Sequence, residues 1–226
     1  INDGNMNALP VGTAPDCTAP AGAWLFPETY TTAGLCGGNA TDFSIVATSS
    51  FEPAATGNSL ALAINDPVSN LHLTNLFTGI INEAPGLVVT VEWDIWVAAV
   101  GGGSTVYIGA DMGGGGFSNV SDRGPQISWL TDGTVQYNAA GINTVIVPSY
   151  TRGAWQHVTV DIKLDTDTFN MFLGPRGGTQ AQVGANLGFR SSPLDKLDRF
   201  SIAHFGAAVG LGNDQAFYDN VTISIP

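Results

Sequence analysis

The sequence predicts an all-β fold, two antiparallel sheets packed as a sandwich or jelly roll. Three observations carry this. Short runs of alternating apolar and polar residues recur along the chain. Clusters of Gly, Asn, Asp and Pro punctuate them. Helical periodicity and helix-capping signals are nearly absent. The 226 residues suit a single sandwich domain over 1–226, long enough to enclose a sizeable core.

The strands follow in order. Ser59–Ile64 reads "SLALAI" and Leu71–Asn75 reads "LHLTN", both alternating. Leu87–Ala99 is the longest run, with Val89, Val91, Trp93, Ile95 and Val97 at period two. Val106–Ala110 follows. Gln126–Leu130 and Val135–Asn138 are joined by Thr131-Asp132-Gly133, a hairpin turn. After the short Val145–Val147, a second hairpin joins His157–Lys163 to Phe169–Leu173 through "LDTDT" at 164–168. Arg199–Phe205 and Phe217–Ile225 complete the set. The glycine runs 101–103 and 113–116 read as loops.

The last strand raises a question. Read with period two, Phe217, Val221, Ile223 and Ile225 share one face, and Tyr218, Asn220, Thr222 and Ser224 the other. Asp219 then falls on the apolar face. A carboxylate there must be paired, hydrogen-bonded or bound to a metal.

Charge excludes some functions. Charged residues are 12% of the chain, well below the roughly 25% of an ordinary globular protein. The surface is therefore built from Gly, Ser, Thr, Asn and Ala. Seven lysines and arginines stand against nineteen acids, a net charge of −12. No basic stripe exists to bind nucleic acid or an anionic membrane. An acidic surface suits solubility first, and it is compatible with neutral sugars or divalent cations. No uncharged run is long enough to span a bilayer: "GLVVTVEWDIWVAAV" carries Glu92 and Asp94. Three glycosylation sequons, at Asn39, Asn119 and Asn220, are what a chain rich in Asn, Ser and Thr carries by chance.

Four stretches together resemble a known family. "ALPVGTAPDCTAPAGAW" (8–24) is similar to the "G-T-x-P-x-G-W" opening of secreted bacterial concanavalin A-like (laminin-G-like) jelly rolls. "GNSLALAIND" (57–66) resembles the strand that follows it. "YTRGAWQHVTVDIKLDTDTFNMFL" (150–173) resembles the "W-x-x-V-x-I-x-x-D" hairpin, and "FYDNVTI" (217–223) the closing "hydrophobic-x-D-N-V" strand. The resemblance implies a concanavalin A-like jelly roll, secreted or held at an extracellular surface. It does not fix function, because this scaffold hosts lectins, hydrolases, lyases and assembly proteins. It also implies a structural calcium, with Asp219 as ligand and first-strand oxygens completing the shell. In this chain those donors would be Asp3 and Asn7 in place of the usual acid, a weaker hard-oxygen set. The alternative is that Asp219 accepts backbone N–H bonds. Cys17 and Cys36, the two cysteines, are expected to pair in a secreted chain; the bridge would contribute about 3 kcal/mol. The alternative is two buried thiols.

The sharpest chemical constellation is "TVEWDIWV" at 90–97. With the valines, Trp93 and Ile95 inward, Glu92, Asp94 and Trp96 share the outer face. This resembles the E-x-D-x-x-E strand of jelly-roll glycoside hydrolases, with Glu92 as the first Glu and Asp94 as the central Asp. The second Glu is missing, because residues 96 and 97 are Trp and Val. Retaining hydrolysis needs two carboxyl groups about 5–5.5 Å apart. A carboxylate beside a Trp instead suits sugar binding: the ring stacks on the apolar sugar face and the acid accepts from hydroxyls. Among His72, His157 and His204, none sits in a recognisable lyase motif.

The expected function is thus a non-catalytic carbohydrate-binding or adhesive domain contacting a polysaccharide or glycan through Glu92, Asp94, Trp96 and Tyr107. The first alternative is a structural subunit binding copies of itself in a filament, surface coat or virion decoration. The second is a jelly-roll hydrolase or lyase.

Overall fold

The computed structural model describes residues 24–28, 43–47, 57–63, 70–99, 103–110, 120–205 and 215–226. Asp3, Asn7, Cys17, Cys36 and the glycine runs other than Gly103 lie outside them.

Among the described residues, fourteen strands form two seven-stranded antiparallel sheets. The first sheet has β1 (Trp24–Glu28), β4 (Asn70–Asn82), β13 (Lys196–Phe205), β6 (Ser104–Gly109), β7 (Arg123–Trp129), β8 (Val135–Ala139) and β9 (Ile142–Val147), in that spatial order. The second has β12 (Ala181–Gly188), β11 (Thr168–Pro175), β10 (Trp155–Lys163), β5 (Val89–Val97), β14 (Gln215–Ser224), β3 (Asn58–Ala63) and β2 (Phe43–Ala47). Short 3₁₀ turns at 120–122 and 164–166 are the helical pieces among the described residues.

The expected sandwich is therefore present, and both expected hairpins are where the turn chemistry puts them. Gly133 has φ +91°, and Asp132 Oδ1 accepts from the Thr134 N–H at 2.9 Å. Asp167 takes the left-handed conformation at φ 49° between β10 and β11. Three strands have no counterpart in the sequence reading: β1, β2 and β12. Each is at or next to a sheet edge. Edge strands gain backbone pairing on one side and need little side-chain pattern. β12, "AQVGANLG", shows this in its Ala, Gly and Asn.

Between the sheets, Val89, Val91, Trp93, Ile95 and Val97 of β5 are fully buried against Val106, Ile108, Ile127, Trp129, Phe200 and Ile202 of the first sheet. Trp93 lies edge-on to Trp129 at 6.0 Å and to Phe200 at 5.4 Å, spanning the sandwich. Such aromatic pairs add about 0.5–1.5 kcal/mol each beyond area burial.

The final strand departs from the period-two reading. Phe217 pairs with Trp96 and Asp219 with Asp94, while Tyr218 pairs with the core residue Ile95. A register shift then falls between Asp219 and Thr222, where Asn220 has φ 51°. This is a β-bulge: one extra residue reverses which side the next residues face. Tyr218 and Val221 consequently both enter the core, at 0% and 1% exposure. Phe217 and Asp219 point to the outer side of the sheet. The Tyr218 hydroxyl donates to Ser104 Oγ across the sandwich, and burial pushes its pKa well above the ordinary tyrosine value.

Candidate functional site

β5 is the middle strand of its sheet, so its outer side chains have neighbours on both flanks. The registers arrange them in rows. Phe217, Trp96 and Trp155 form the first, Asp219, Asp94 and His157 the second, and Thr222, Glu92 and Thr159 the third. The structure therefore brings Glu92, Asp94, Trp96 and Asp219 onto one face, and adds His157 and Arg176.

Tyr107 does not join them. It lies on β6 of the other sheet, off the phase of core residues Val106 and Ile108, with the Arg123 guanidinium 4.3 Å from its ring centroid. Alternation along β6 places it on the far side of the molecule from Glu92. His72 and His204 lie on β4 and β13, also in that other sheet.

Asp94 is the buried centre of the site. Its side chain is 4% exposed. Oδ1 accepts from His157 Nδ1 at 2.7 Å, and Oδ2 from Arg176 Nε at 2.9 Å and Asn220 Nδ2 at 2.8 Å. A carboxylate only accepts, so the Nδ1 proton is fixed and Nε2 turns to Glu92 Oε1, 3.5 Å away. Thr159 Oγ lies 3.2 Å from the same Glu92 oxygen and 2.9 Å from Gln180 Oε1. Its one proton serves a single acceptor at a time. Glu92 is the outermost acid, 39% exposed.

Arg176 answers the question Asp219 raised. Its Nη2 donates to Asp219 Oδ2 at 2.8 Å, and the Asn220 N–H donates to Oδ1 at 2.9 Å. Burial raises the Asp219 pKa, and the hydrogen bond and charge of Arg176 lower it in opposition. The guanidinium also lies 4.8 Å from the Trp155 ring centroid, and the Arg176 N–H donates to the Trp155 carbonyl at 3.2 Å. The turn after β11 is able to bend back this closely because residue 174 is glycine. A Cβ there would stand 2.4 Å from the Thr179 carbonyl oxygen.

Calcium fits this arrangement poorly. Both Asp219 oxygens already accept from N–H groups, and a guanidinium supplies the positive charge. Among the described residues no group of three or more His, Cys, Asp or Glu has metal-binding geometry.

Trp96 is not an open platform either. It is half-buried, edge-on to Phe217 at 5.2 Å, with Trp155 and Phe217 buried beside it. The positions flanking Glu92 are Thr159 and Thr222, so neither neighbouring strand supplies a second glutamate there. His157 and Arg176 were the residues missed from sequence. Period two along β10 does place His157 on the outer side; nothing short of strand register puts it opposite Asp94.

The two antiparallel sheets and their packing define a concanavalin-like jelly-roll sandwich. No protein-family model and no curated protein matches the chain. Solved structures do. The catalytic domain of a glycoside hydrolase family 131 protein from Coprinopsis cinerea is similar over 98% of this chain and 92% of its own, at TM-score 0.59 and 11% identity. The lectin UEA-II complexed with galactose is similar over 92% and 96%, at TM-score 0.52 and 9% identity. A sialidase is similar at TM-score 0.55 and 12% identity, and the chain spans 95% of itself but 18% of that protein. These likenesses concern the fold.

Proposed function

We propose that the chain is a secreted carbohydrate-binding domain whose glycan contacts Glu92, His157 and Trp96 on the outer face of the second sheet. The observation that carries this reading is Glu92 itself. It stands outermost on the central strand, and its Oε2 has no partner among the described residues. A hydroxyl-rich ligand can donate to this solvent-facing oxygen, with the His157 edge next to it and the half-buried Trp96 two rows along the strand. Lectin and glycoside hydrolase scaffolds of the same fold support the ligand class by analogy.

The test is a glycan array followed by titration calorimetry on the best binder. Glu92→Ala removes a charge-assisted hydrogen bond and should weaken binding about 10- to 100-fold. Binding unchanged by Glu92→Ala sinks the assignment of this face, and an array with no binder sinks the carbohydrate reading.

A second reading, hydrolysis, is favoured by His157, an acid–base group held between two carboxylates. It predicts release of reducing sugar from a polysaccharide panel, lost in both Glu92→Ala and His157→Ala. The absent second glutamate argues that the wild type releases none. Self-assembly, the third reading, rests on edge strand β9, which exposes Ile142 and Val145 at 69% and 52%. Oligomeric state measured in solution tests it.

A further inference from the structure

At the end of the sandwich where β10 begins and β11 ends lies a cavity of about 370 Å³, within the size range of small-ligand sites. Its walls include Val147, Tyr150, Trp155, Gln156, Leu173 and Pro175, mostly apolar. Gln156 is the exception, and it is 5% exposed. Its Nε2 donates to the Thr151 carbonyl at 2.8 Å, which fixes the amide orientation. Its Oε1 is buried and meets no donor among the described residues. A buried acceptor left unpaired is unfavourable, and a ligand N–H or O–H relieves it. On the rim, Ser149 is exposed with a hydroxyl able to donate.

The cavity meets the outer face at Trp155; Gln156, the next residue, is on the inner side of β10 in phase with the core residue Val158. Trp155 belongs to its wall, and Trp155 and His157 lie on the same side of β10, two residues apart, about 6.6 Å along the strand. An acetamido group matches the lining. Its methyl would pack on Val147, Leu173 and Pro175, its N–H would donate to Gln156 Oε1, and its carbonyl would accept from Ser149. A plain sugar hydroxyl in its place leaves the apolar wall uncovered.

We infer that this cavity recognises the acetamido group of a 2-acetamido sugar in a glycan held at Glu92 and His157. The inference deepens the carbohydrate reading above and rests on it for the neighbouring contacts. It makes Gln156 a specificity-determining residue.

Calorimetric titration of N,N′-diacetylchitobiose against cellobiose tests this, because the two differ at the acetamido positions. The wild type should favour the acetylated sugar by about tenfold or more, the scale expected where a buried polar group is paired by one ligand and left unpaired by the other. Gln156→Leu removes the acceptor, and Ala154→Leu, at another residue lining the cavity, narrows it and serves if the first variant does not fold. Both should erase the preference while cellobiose binding persists, and Glu92→Ala should weaken both sugars. Equal affinities in the wild type, or a preference that survives Gln156→Leu and Ala154→Leu, overturn the cavity assignment and leave the face intact. A preference that vanishes in the cavity variants but is indifferent to Glu92→Ala supports the cavity and refutes the face. If neither sugar binds and N-acetylglucosamine at millimolar concentration shows no saturation transfer, the cavity assignment falls as well.

Discussion

Arg176→Met is the most informative perturbation of this fold. It keeps an unbranched side chain at this position and deletes the guanidinium that joins Asp94 and Asp219 and lies over the Trp155 ring. Those two carboxylates face each other across paired strands, 4% and 5% exposed. Removing one partner of a buried ion pair costs about 3–5 kcal/mol. Here Arg176 is 35% exposed, so water already screens part of the interaction, and Asp94 keeps bonds from His157 and Asn220. A net loss of about 2–3 kcal/mol is therefore expected. For a chain of this length that lowers Tm by about 5–10 °C. The loss should also depend on pH. Without Arg176 the two largest causes that lower the Asp219 pKa disappear, the Asn220 N–H bond alone still lowers it, and burial drives it higher. The destabilisation is then largest near neutral pH and shrinks on acidification as Asp219 takes up a proton. Differential scanning calorimetry from pH 4 to 8 reads both effects. A Tm within about 2 °C of wild type at pH 7, or a loss equal at pH 4 and pH 7, would refute the reasoning.

Asp219 itself makes a signed prediction. Its folded pKa lies above the ordinary 3.8, so the folded chain holds more protons than the unfolded one just above that pH. Its contribution to stability is therefore greatest below pH 3.8 and declines as pH rises through the folded value. Asp219→Asn should flatten this part of the stability-versus-pH curve, and an unchanged slope in denaturant titrations counts against it. Asn220→Val places a β-branched residue at φ 51° and removes a bond to Asp94; a loss of about 2–3 kcal/mol in urea unfolding is expected, and a neutral effect would show that the bulge is not specified here. Chelation with EGTA should leave the melting curve unchanged, because Arg176 and the Asn220 N–H already donate to both Asp219 oxygens; a fall of several degrees, abolished by Asp219→Ala, would show calcium held there with Asp3 and Asn7. Alkylation without reductant should leave Cys17 and Cys36 unmodified in the mass spectrum, and two added groups would rule out the bridge.

The sequence by itself determined the parts of this protein that local periodicity encodes. Alternation in β5 is long and unbroken, so Val89 to Val97 point inward and Glu92, Asp94 and Trp96 outward, as period two requires. Turn residues with one preferred conformation, Asp132-Gly133 and Asp167, placed two hairpins. The tertiary structure decided what depends on register and on contacts distant in sequence. A one-residue bulge at Asn220 leaves no mark in composition, yet it inverts the side on which Phe217, Tyr218 and Asp219 lie. His157 meets Asp94 across 63 positions and Arg176 meets Asp219 across 43, distances closed by pairing β10 and β14 to the two sides of β5. The order of strands in a sheet is set by the packing of the whole core, a global minimum that no window of the chain contains. The inward carboxylate read from the last strand was therefore an outward one, neutralised by a cation that the fold delivers.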